Sequence, residues 1–63
     1  MTPLEDPAEH AKELWRELGD VARVEAALVA YRAMLEEDLE ACRYWRDVLD
    51  TLQALALARE TRH

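Results

Sequence analysis

The stretch MLEEDLEAC, residues 34–42, decides the architecture, because it places four carboxylates within five positions in the middle of a long apolar pattern. It contains no Gly or Pro, although a reversal of the chain normally brings Gly, Pro or Asn. The stretch therefore poses a choice between a turn, a metal site and a helix that runs straight through it.

The apolar residues keep one heptad register on both sides of this stretch. With Val21 at position a, the a, d and g positions of residues 21–56 are all apolar except Asp38 at d. Ala, Leu, Glu and Arg dominate the same region, and no Gly or Pro interrupts it. We therefore predict one continuous helix over residues 20–60, in which Asp38 is the only acid of the stretch on the buried stripe.

A shorter helix precedes the long one. Asp6 is placed to cap its first turn, Pro7 suits its first position, and Gly19, the only glycine, suits its C-terminal end. These signals divide one predicted helical domain, residues 1–63, into helix 7–18, a turn at 19–20 and helix 20–60.

The two predicted helices differ too much in length to cover each other. At 1.5 Å per residue the first is roughly 18 Å long and the second roughly 60 Å. The C-terminal half of the long helix would leave a contiguous apolar strip in water, which monomers rarely do. We therefore expect an all-α helical hairpin that assembles as an antiparallel homodimeric bundle with coiled-coil packing. The sequence leaves open a tetramer, and also a three-helix monomer with a break near residues 36–39.

The residues expected at the dimer interface follow the apolar stripe of the C-terminal half. They are Met34, Leu35, Asp38, Ala41, Cys42, Trp45, Val48, Leu49, Leu52 and Leu55. In this dimer Asp38 lies close to the two-fold axis and fixes the register at some cost in stability. Apolar side chains off the stripe are the candidate contacts for a different protein, namely Val29, Leu39, Tyr44 and Leu57.

The composition restricts the classes of partner. Fourteen Asp and Glu against eight Lys and Arg give a formal charge of −6 at pH 7, which disfavours phosphate backbones and anionic membranes. No segment has the roughly 20 apolar residues of a membrane span, and the first residues do not resemble a secretory signal. Cys42 is the only cysteine, so an intrachain disulfide is excluded. We expect a cytoplasmic protein with no nucleic-acid or membrane partner.

The sequence offers little for catalysis or cofactor binding. His10 belongs to no Glu-x-x-His pair and His63 belongs to a single one, with Glu60, while Cys42 has no histidine near it in the sequence to act as a base. We predict no enzymatic activity and no cofactor, and favour an acidic protein–protein interaction module such as a homodimeric adaptor, small chaperone or assembly factor. The alternative is a metal-binding bundle formed on oligomerisation, with His10, Glu36 and Glu40 as ligands.

Overall fold

The computed structural model describes residues 6–61, and these residues form three α-helices and no β-strand. Helix α1 spans Pro7–Leu18, α2 spans Val21–Leu35 and α3 spans Leu39–Glu60. The third helix packs against both of the others, whereas α1 and α2 contact each other least. The described part of the chain is therefore an all-α bundle built around α3. None of these three helices is long and apolar enough to cross a bilayer.

Helix α1 has the bounds that its capping signals predict. The Asp6 carboxylate accepts a hydrogen bond from the Ala8 amide at 3.0 Å, and Pro7 occupies the first helical position, which needs no N–H donor. The helix ends at Gly19, whose N–H donates to the Trp15 carbonyl at 2.9 Å and whose φ is 61°. A side chain at position 19 would meet no atom within 4 Å, so glycine is required there for its backbone conformation and not for space.

The continuous long helix expected from the heptad register is wrong, because the chain turns back between α2 and α3. Glu37 adopts a left-handed conformation with φ of 58°. Its N–H donates to the Met34 carbonyl at 3.1 Å, and the Asp38 N–H donates to the Ala33 carbonyl at 2.9 Å. This pair of bonds is the Schellman motif, which satisfies carbonyl groups left open at a helix end. The number of helices and the position of the break agree with the three-helix alternative, which places a break near residues 36–39.

Asp38 caps α3 and does not lie on a buried stripe. Its side chain is exposed, and one carboxylate oxygen accepts a hydrogen bond from the Ala41 amide at 3.1 Å. Aspartate competes for backbone amides in this way, which favours it at helix starts over helix interiors. The expectation that Asp38 occupies the buried stripe is therefore wrong.

The core combines small residues from α1 and α2 with larger residues from α3. Among residues 6–61 only two large side chains, Val48 and Leu52, are fully buried, and both belong to α3. The complete set of buried residues in the described chain is Ala11, Ala22, Ala26, Ala33, Val48, Leu52 and Ala56. Half-buried side chains pack around this set, namely Leu14, Trp15, Tyr44, Trp45 and Leu49. The buried residues of α3 lie at a, d and g positions, so the heptad pattern identifies the inner face of this helix correctly.

Candidate protein-interaction surface

Helix α2 carries two apolar faces on opposite sides. At about 100° per residue, Ala22, Ala26 and Ala33 fall within a sector of about 40°, and these three residues are the ones buried in the bundle. Roughly 180° away lies a row of large apolar side chains spaced three and four residues apart. We call this row the outer face of α2, and it consists of Val21, Val24, Leu28, Tyr31 and Leu35.

All five residues of the outer face are exposed, with between 56% and 66% of their surface accessible. The helical hairpin expected from the heptad register would cover the residues from Val21 to Tyr31 with α1, and the structure corrects this expectation. The physical reason is that α1 packs chiefly on α3, while α2 turns its alanines toward the core. Alanine has no side chain beyond Cβ, so it allows close approach of two helices and leaves the larger residues on the far side.

The two edges of the outer face differ in character. Glu25 and Arg32, which are both exposed, lie along one edge and are separated by seven residues, or about two helical turns. Ala27 and Met34, also exposed, lie along the other edge and widen the apolar surface. The outer face therefore has one edge with a negative and a positive side chain, and one apolar edge.

The structure distributes the predicted dimer-interface residues over three environments. Val48 and Leu52 are fully buried within the chain, so their side chains are not available to a second copy. The half-buried members are Ala41, Cys42, Trp45, Leu49 and Leu55. The exposed members are Met34, Leu35 and Asp38.

The four predicted contacts for a different protein do not form one surface. Leu39 and Leu57 are 75% and 61% exposed, but 18 residues of helix separate them, which corresponds to about 27 Å. Val29 is half-buried on α2. Tyr44 is half-buried as well, and its hydroxyl group lies 2.7 Å from Nδ1 of His10.

The described residues give no metal centre. Within residues 6–61 no group of three or more His, Cys, Asp and Glu side chains could hold a metal ion. His10 is hydrogen-bonded to Tyr44 and packs edge-on against Trp45, with ring centroids 5.1 Å apart. The other two residues considered as ligands are exposed, Glu36 at the C-terminal end of α2 and Glu40 in the first turn of α3.

An open groove of about 430 Å³ lies near the C-terminal end of α3. Its lining residues are Trp15, Leu55, Ala58, Arg59 and Thr61. Small-molecule sites are enclosed pockets in which several polar groups converge on the ligand. The groove is open, with one charged side chain, and it lacks the enclosure that would orient a small ligand.

Comparison of the chain with protein-family models, with curated protein sequences and with solved structures gives no match. No relative therefore indicates a function, and the outer face of α2 is the feature of the molecule that suggests one. Sequence reasoning missed it as a surface because the heptad rule assigns the largest apolar residues to the interior. The signal that could have found it is the second row, Ala22, Ala26 and Ala33, on the opposite side of the same helix.

Proposed function

We propose that the protein is a non-catalytic helical interaction module that binds an apolar helix on the outer face of α2. The observation that carries this proposal is the inverted distribution of apolar residues on α2, where the alanines are buried and the five large side chains are exposed. Single exposed leucines are ordinary on protein surfaces, but a row of five along about four helical turns is typical of an interaction site.

The spacing of the outer face suits a partner helix. Apolar residues that alternate three and four apart form a seam with holes that accept the side chains of a second helix. An adaptor, a small chaperone or an assembly factor would use such a seam to hold an amphipathic helix of its client. A second copy of the chain is one such partner.

The energetics support occupation of this face. Complete burial of a Val or Leu side chain contributes about 1.5 to 3 kcal/mol, so covering the exposed half of each outer-face residue contributes about 1 kcal/mol. Five such residues together approach the roughly 3 to 5 kcal/mol that the core of a chain this short supplies unaided. Covering the outer face therefore provides a favourable term of this size, from which the loss of translational and rotational freedom on association must be subtracted.

A photo-crosslinking experiment tests the proposal. A photoreactive phenylalanine analogue at position 28, at the centre of the outer face, should give protein adducts when the module is irradiated in cell extract. The same analogue at position 57, which is equally exposed on α3, is the matched control and should give fewer adducts. Equal crosslinking at both positions would contradict the assignment of the outer face as the binding surface.

A further inference from the structure

Resting on this proposed function, we infer that the occupant of the outer face is a second copy of the chain, with the two α2 helices paired antiparallel. The outer face is suited to its own copy because a two-fold interface brings the same surface patch together from both chains. Both copies then present seams of equal length, about 22 Å for the 15 residues of α2, with identical three-four spacing.

The spacing of the side chains fits one antiparallel register. If the two-fold axis passes between Leu28 and Val29, residue numbers that face each other add up to about 57. Tyr31 then inserts between Val24 and Leu28 of the second copy, and Val24 inserts between Tyr31 and Leu35 of the second copy. Leu28 and Leu35 likewise enter holes made by outer-face residues of the other chain, which is the packing that helical seams use, whereas Val21 faces position 36 and packs at the end of the seam.

The charged edge favours the same register. Glu25 of one copy faces Arg32 of the second copy, and the symmetry generates this opposite-charge pair twice. A parallel pairing would instead place Asp20 of one copy beside Glu25 of the other, five residues further along the seam, and would repeat this like-charge contact on both sides. The Glu25–Arg32 pairs therefore favour the antiparallel orientation. The same register places Asp20 opposite Glu37 of the second copy at each end of the seam, where Asp20 is paired with Arg23 of its own chain at 3.3 Å.

The size of the outer face predicts a weak dimer. At roughly 100 Å² of apolar surface for each large side chain, with about 60% exposed, the five residues offer about 300 Å² per copy. Two copies, with Met34 and the charged edge included, bury about 1,000 Å² in total, which is at the low end of specific interfaces. We expect a dissociation constant in the micromolar range.

Sedimentation equilibrium of the full chain from micromolar to millimolar concentration tests the dimer. The wild type should pass from monomer to dimer, and Leu28→Asp should raise the dissociation constant at least tenfold. Leu57→Asp changes an equally exposed leucine on α3 and should leave the dissociation constant unchanged. Both positions are exposed in the single chain, so circular dichroism should show the same helix content in all three proteins.

A charge exchange tests the orientation. Glu25→Arg alone places two arginine pairs across the interface, and Arg32→Glu alone places two glutamate pairs there, so each variant should associate less tightly than the wild type. An equimolar mixture of the two variants restores both opposite-charge pairs and should form the heterodimer. A parallel or unrelated interface would show no preference for the mixture, and that result would overturn the register.

The outcomes separate this inference from the proposed function. A wild type that stays monomeric at millimolar concentration would overturn the self-pairing, whereas continued crosslinking of other proteins at position 28 would leave the interaction module standing. A wild type that neither dimerises nor crosslinks to other proteins at position 28 would overturn the self-pairing and the interaction module together. A dimer whose dissociation constant does not respond to Leu28→Asp would show that the interface lies elsewhere and would overturn the inference.

Discussion

The hydroxyl oxygen of Tyr44 lies 2.7 Å from Nδ1 of His10, and this hydrogen bond joins α3 to α1. The rings of Tyr44 and Trp45 also pack edge to face, with centroids 5.6 Å apart. We expect Tyr44→Phe to lower the free energy of unfolding by about 1 kcal/mol, because it removes one partly buried hydrogen bond and keeps the ring. Urea denaturation measures this difference. Tyr31→Phe removes a hydroxyl group from the exposed outer face and should change stability by less than about 0.5 kcal/mol.

Leu52 is one of the two large side chains that are fully buried in the described part of the chain, so its truncation should strongly destabilise the fold. We expect Leu52→Ala to cost about 2 to 5 kcal/mol, since it removes apolar contacts and leaves a cavity. A chain this short has little more stability than that, so the variant should be largely unfolded by circular dichroism at room temperature. Leu57→Ala is the control on the same helix, and a comparable loss for it would contradict the burial of α3 described above.

Glu37 should gain stability when it is replaced by glycine. Its φ of 58° is costly for a residue with a Cβ atom, and Glu37→Gly should relieve about 1 kcal/mol, which corresponds to a rise in melting temperature of about 4 to 8 °C. Glu36→Gly, at the neighbouring position with φ of −87°, should lower the melting temperature. If a continuous helix ran through both positions, both glycines would destabilise, so the sign at position 37 discriminates the two architectures.

Asp38→Ala should lower stability by about 1 kcal/mol, because the amide of Ala41 loses its capping acceptor. Asp38→Asn should be nearly neutral, since asparagine caps helices about as well as aspartate. The heptad register predicts the opposite change in stability, because removal of a buried acid would stabilise the protein. Thermal melts of the two variants at pH 7 distinguish an exposed capping role of Asp38 from a buried position. A rise in melting temperature for Asp38→Ala would contradict the capping role.

Local signals predicted the parts of the fold that local chemistry controls. The bounds of α1 follow from Asp6, Pro7 and Gly19, whose effects extend over one helical turn. The all-α class follows from helix propensity, and the inner face of α3 follows from its apolar spacing. The turn at Glu37 was predicted only as the alternative to a continuous helix, because the apolar register before it matches the register after it and the turn uses neither Gly nor Pro. Only the capping preference of Asp38 marked the break.

The apolar pattern of α2 alone does not show which of its two rows faces the core. Both rows of this helix are apolar, and hydrophobicity alone favours burial of the row with Leu28 and Tyr31 over the row with Ala22 and Ala26. The choice depends on how closely α3 approaches, which is a contact between residues far apart in the chain. The heptad pattern therefore located the row of large residues but assigned it to the interior, and the second row of alanines was not considered.

The turn at Glu37 also bears on how this architecture could change in evolution. Because the apolar register is the same on both sides of the turn, a through-going helix and a helical hairpin share nearly all of their sequence requirements. Residues that favour helix interiors at positions 37 and 38 would favour the through-going helix. Glycine at 37 with aspartate at 38 would favour the helical hairpin. The two forms would nevertheless bury different rows of α2, the alanines in the compact three-helix chain and the larger residues in the extended two-helix chain, so a few substitutions at this turn would exchange the buried and exposed faces of a whole helix.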